Sequence, residues 1–180
     1  MKVEGRERAT HGFTVPADGW HLVEVMEGID YAKDGETKEI LEDKKGNKKH
    51  IIKFHINDAD DDANGAQLSM FLSETPRGEQ QIADILAATG QYKKFAEKFP
   101  GDVSVFDENV MSMIKIKLPG QFLKVRTQVS KVKDKEYCNI QETATVGFDP
   151  AKDEKAKKAK KEDGAKGGGE KAAPKGNDEW

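Results

Sequence analysis

Lys53 and His55 alternate with Phe54 and Ile56 in the stretch His50-Ile51-Ile52-Lys53-Phe54-His55-Ile56, and Phe122, Lys124 and Arg126 alternate with Leu123 and Val125 further on. A period of two puts each set on one side of a β-strand. Gln67-Leu68-Ser69-Met70-Phe71-Leu72 alternates as well. If it pairs with the first stretch as an antiparallel hairpin, Ile52, Phe54 and Ile56 share the core side with Leu68, Met70 and Leu72. Lys53 then lies opposite Phe71, and His55 opposite Ser69. Four lysines, Lys44, Lys45, Lys48 and Lys49, flank the first of these strands. The surface so assembled is basic, polar and aromatic, equipped for non-covalent attraction rather than for bond making.

A second group lies at the end of the chain. Asp178, Glu179 and Trp180 close a tail, from Ala151 onward, built almost wholly from Lys, Ala, Gly, Asp and Glu. Such a tail has nothing apolar to bury before Trp180, so its ordering entropy goes unmatched and it is expected to be disordered. The plain reading of Trp180 is a tolerant terminus. The sharper one is a docking peptide whose indole fills a partner's slot while the acids meet basic groups at the rim.

Bond-making chemistry finds little to use. Asp60-x-Asp62-x-Asn64-Gly65 opens like a calcium-binding loop of the EF-hand type, but the twelfth position, which should be a bidentate Glu, is Phe71, and strands flank the loop. No metal or cofactor is expected. Cys138 is single and falls on an inward strand position, the histidines lack zinc-ligand spacing, and there is no Walker motif, dinucleotide fingerprint or nucleophile elbow. The sequence reads as a non-enzyme.

The elements that must position these residues fit a single core. Of 180 residues the tail takes about thirty, leaving a body the size of one ordinary domain, with a flexible arm over residues 1–12, a domain over 13–148 and the tail over 149–180. Net charge is −3, and because the tail holds nine Lys against seven acids, the body stands at −5. That balance counts against coating by nucleic acid through bulk charge. A lone cysteine and the lack of any long apolar run point to a reducing cytoplasm with no membrane partner.

Along the body, Trp20 to Tyr31 reads as a strand with a bulge at Gly28, and Lys33 to Lys49 as a long mobile connection or an extended hairpin. Two strands follow. Thr75-Pro76 caps a helix carrying Ile82, Ile85 and Leu86, and Tyr92, Phe95, Ala96 and Phe99 mark a second. Asp102 to Lys117 shows no clear pattern. Leu118-Pro119-Gly120 then turns into the strand with Leu123, Val125 and Val129 inward, and Tyr137 to Gln141 closes the set with Cys138 and Ile140 inward. Three strands, a helical connection and two more strands make a mainly β chain with the element order of a five-stranded OB fold, a small Greek-key barrel.

Three places make the pattern more specific: the Lys53, His55 and Phe71 face, the helix ending Ile85-Leu86-Ala87-Ala88-Thr89-Gly90, and the hairpin opened by Leu118-Pro119-Gly120-Gln121-Phe122. Together they resemble the single-stranded DNA-binding proteins encoded by bacteriophages and prophages. The tail is similar to the acidic, aromatic-ended tails of that class, although it has only two acids at its tip and a Lys-rich stem. The resemblance implies sequence-tolerant binding in phage DNA replication or recombination, in the cytoplasm of the bacterial host. Phe71 and Phe122 would stack bases, Lys53, Lys124 and Arg126 would meet phosphates beside His55, and Lys44, Lys45, Lys48 and Lys49 would form a basic arm. Asp178, Glu179 and Trp180 would recruit replication or recombination proteins, and a homo-oligomer is compatible. The competing expectations are that both Phe rings pack under neighbouring elements, and that the chain is a phage adaptor or structural protein on a small barrel that never touches DNA.

Overall fold

A computed structural model describes residues 16–133 and 135–155. The arm at 1–12 and the tip Asp178, Glu179 and Trp180 lie outside the described residues, as does the tail from 156 onward. The chain divides into two units, Met1–Phe148 and Asp149–Trp180. Within the second, residues 150–155 are helical. Among the described residues no helix is long and apolar enough to cross a membrane.

Among its described residues, five antiparallel strands carry the first unit: β1 (Gly19–Tyr31), β2 (Lys49–Ile56), β3 (Gln67–Ser73), β4 (Phe122–Val132) and β5 (Lys135–Ala144). Their order in the sheet is β3-β2-β1-β4-β5, with β3 and β5 approaching each other, which is the strand arrangement of an OB-type sheet. Between β3 and β4 run three helices, α1 (Pro76–Ala88), α2 (Tyr92–Lys98) and α3 (Glu108–Lys117). The core follows from period-two alternation on the strands: Val23, Val25, Ile52, Phe54, Ile56, Leu68, Leu72, Leu123 and Val125 are buried, under Ile82, Ile85 and Leu86 of α1 and Val110 and Ile114 of α3. Burying each large side chain of this kind contributes about 1.5–3 kcal/mol.

Local signals place the helices. Thr75 accepts a hydrogen bond from Gly78 N–H at 3.2 Å and Pro76 opens the first turn of α1. The stretch Asp102 to Lys117, which shows no clear sequence pattern, holds α3, capped by Asp107, whose carboxylate accepts from Asn109 N–H at 2.9 Å. Gly28 is where α3 meets β1. A Cβ there would stand 2.5 Å from the Lys115 Cα, so only glycine admits the helix against the length of β1 that β4 leaves unpaired.

The β2–β3 register differs from the expected one by two residues. Lys53 pairs with Ser69 rather than Phe71, His55 with Gln67 rather than Ser69, and Phe71 with Ile51. Gly65, at φ 84°, returns the chain early enough for Ile56 N–H to reach the Ala66 carbonyl at 2.9 Å, so pairing begins at Ala66. A shift of two keeps every side chain on its face, which is why the core assignment survives it.

Candidate nucleic-acid interface

The outer face of the sheet is read most simply in cross-strand rows. Phe71, Ile51 and Asp30 make one, Ser69, Lys53 and Glu27 the next, and Gln67, His55, Glu24 and Phe122 the third. Further along, Leu22 pairs with Lys124, and Trp20 with Arg126, which in turn pairs with Glu142. Phe71 is 55% exposed and Phe122 40%, so neither ring is packed under a loop or helix. Three strand spacings and two rows separate them, roughly 20 Å on a flat sheet. A ligand must therefore cross the face to use both.

Charge on this face is paired. Lys53 Nζ lies 3.1 Å from the Glu27 carboxylate, His55 Nε2 lies 3.3 Å from that of Glu24, and Arg126 binds Glu142. Glu24 also accepts from the Asn57 amide at 2.8 Å, and the Lys124 ammonium donates to the Phe148 carbonyl at 2.6 Å. Two of these carboxylates reach the face through bulges. A strict period of two from Val23 and Val25 would point Glu27 into the core, and one from Cys138 and Ile140 would do the same to Glu142. Register shifts between Val25 and Glu27, and between Arg126 and Thr127 opposite β5, turn both outward.

The four flanking lysines part company. The backbone takes the extended-hairpin alternative, with bridges Lys33 to Ile40 and Glu42 to Lys48. Lys44 and Lys45 sit on a turn closed by Asp43, whose carboxylate accepts from the Lys45 and Asn47 backbone and from the Asn47 amide. The Asn47 bonds, foremost, hold the Asp43 carboxyl down at about 2. Lys48 Nζ stands 5.7 Å over the Tyr31 ring, which packs at a tilt against buried His50, while Lys49 pairs with Ser73 at the edge of the sheet beyond Phe71.

Several residues join the face that the sequence did not assign to it, among them Trp20, whose place at the start of the first strand reads as core or barrel edge. Trp20 lies half-buried on its outer side against Phe148, with ring centroids 4.7 Å apart. Its alternation with Leu22 and Glu24 was the available signal. Exposed Tyr137 and Lys135 continue the outer-face alternation to the free end of the β4–β5 hairpin, one of the two loops that flank an OB-type binding face, while Lys131 and its partner Glu136 alternate to the other side.

The acidic loop is held by its own polar groups and by His21. Asp58 accepts from Asp60 N–H, Asn64 from Asp58 N–H, and Asp61 takes buried His21 Nδ1 at 2.5 Å. His21 Nε2 lies 2.9 Å from the Ala17 carbonyl and 3.1 Å from Thr127 Oγ1. Burial raises the Asp61 carboxyl, but the His21 bond, the Ala63 N–H and the imidazole's field outweigh it and leave it below its ordinary value. Among the described residues no group of three or more His, Cys, Asp or Glu is placed to hold a metal ion. Burial pushes the half-buried Cys138 thiol up, away from nucleophilic character.

No family model and no curated protein matches this chain. Among solved structures it is similar to a chain of "Yeast RPA bound to ssDNA", at 14% identity over 90% of this chain and 97% of that one, with a TM-score of 0.30. At that score the likeness assigns neither fold nor ligand here. The OB-type arrangement stands on the strand order.

Proposed function

We propose that this protein binds single-stranded DNA without sequence preference, as a non-catalytic protein, by stacking bases on Phe71 and Phe122 and holding phosphates with Lys53, Lys124 and Arg126. The carrying observation is the exposure of both rings on the outer face of an OB-type sheet, since an apolar ring left in water without use is a liability. Every base offers a π-face, so stacking supplies affinity without sequence preference, while Lys53 between the rings and Lys124 and Arg126 in the rows beyond Phe122 track the backbone. Oligothymidine should quench intrinsic Trp emission in a salt-dependent titration, with duplex DNA a poor competitor. Absence of binding at low salt sinks the reading.

In the finer form of this proposal the protein serves phage DNA replication or recombination inside the bacterial host cell, and Asp178, Glu179 and Trp180 recruit a replication or recombination protein. An acidic pair ahead of a terminal indole supports that role by its residue types alone. Removing residues 178–180 should abolish recovery of such a partner while leaving DNA affinity unchanged or raised; undiminished recovery refutes it. The rival reading, an adaptor or structural protein that never touches DNA, is favoured by one observation: Lys53, His55 and Arg126 are each already held by a carboxylate. The oligothymidine titration separates the two.

A further inference from the structure

Lys53 and Arg126, two of the three cations assigned to phosphates, do not face water alone. Glu27, 63% exposed at its side chain, holds the first, and Glu142, 49% exposed, holds the second. Neither carboxylate falls there by simple alternation. Each is turned onto the face by an irregularity in strand pairing, at β1 in one case and between β4 and β5 in the other. Bulges commonly re-aim a side chain in this way. Glu24, by contrast, is tied to both His55 and Asn57 and belongs to the sheet's own framework.

We infer that Glu27 and Glu142 are built-in competitors for the phosphate backbone: they occupy Lys53 and Arg126, must be displaced when a strand binds, and so limit both affinity and its salt dependence. This rests on the single-strand reading above. A carboxylate and a phosphate oxygen make the same kind of charge-assisted hydrogen bond to an ammonium or guanidinium. A strand laid across the face therefore exchanges one anion for another, and a freed carboxylate remains beside the incoming phosphate. Exposed pairs of this kind are individually weak, so a strand that also stacks on Phe71 and Phe122 can displace them. Because the cation is neutralised before DNA arrives, less net counterion release accompanies binding than the count of basic residues implies.

The test is anisotropy of labelled oligothymidine over a salt series with the full chain, comparing wild type, Glu27→Gln, Glu142→Gln and the double variant. Glu97→Gln is the control, since Glu97 is exposed on α2, which packs against α1, and the change alters net charge equally. Each face variant should tighten binding about two- to fivefold at low salt, and the slope of log affinity against log salt should steepen by about 0.7 for each cation freed. The control should do neither. Binding by the face variants where wild type shows none also supports the inference. If wild type binds and the face variants match it, or if the control tightens as much as they do, the competitor role is overturned while single-strand binding stands. If no protein in the set binds, the single-strand reading falls and takes this one with it.

Discussion

Phe71 and Phe122 occupy comparable positions on opposite halves of the sheet, yet they differ in what removing them should do. Phe71 lies near the edge, more than half in water, beside Ile51. Truncation to Ala should leave its unfolding midpoint close to wild type, because little apolar surface is lost from the core. Phe122 shares its row with Glu24 and is more enclosed, so the same change carries a small stability loss. In oligothymidine titrations each substitution should weaken binding by about 1–3 kcal/mol; unchanged affinity in both variants would remove the rings from the proposed site. That these rings and the cations Lys53, Lys124 and Arg126 share an outer face was legible from alternation alone. Their carboxylate partners were not. Counting by twos assigns Glu27 to the side of Val23 and Val25, and Glu142 to the side of Ile140, and only pairing irregularities with no short-range sequence mark reverse those assignments.

At the scale of elements, the sequence is informative where one force dominates. Strands with strict alternation, β2 and β3, and a helix with cap, proline and apolar stripe, α1, follow directly from periodicity. Gly28 was legible as an irregularity, and the structure adds its cause, the Lys115 backbone of α3 pressed against it. Register was harder. The β2–β3 pairing could slide by two without moving any side chain to the wrong face, so hydrophobicity does not choose between the alternatives, and the loop decides. Gly65 and the ties of Asp61 to His21 and of Asn64 to Asp58 fix the loop at residues 57–65. The helix α3 escaped notice because its buried positions, Val110 and Ile114, share the segment with Met111 and Met113 at half burial and with Ile116 at 74% exposure. An apolar stripe that wraps most of a short helix carries no readable period.

At the scale of the whole molecule, a body of net charge −5 gives no long-range pull on nucleic acid, so affinity must come from local arrangement. The end of the first unit contributes to that arrangement. Phe148, which follows a turn in which its N–H donates to the Thr145 carbonyl at 3.0 Å, lays its ring on Trp20 and offers its carbonyl to Lys124. Residues 145–148 therefore act as a clasp, covering the indole and fixing the ammonium of a candidate phosphate contact. Two shortened chains isolate this effect, one ending at Lys155, so that the Phe148 carbonyl stays an amide, and one at Ala144. Both lack Trp180, so all tryptophan emission comes from Trp20. The chain ending at Ala144 should emit further to the red, because water reaches the ring. It should also unfold at lower denaturant, by about 0.5–1.5 kcal/mol for the lost aromatic pair beyond its area. Its Lys124, released from a neutral carbonyl partner, should meet phosphate no less readily, so oligothymidine affinity should hold while quenching of Trp20 deepens. Identical emission and identical midpoints in the two chains would show that the clasp does not form in solution.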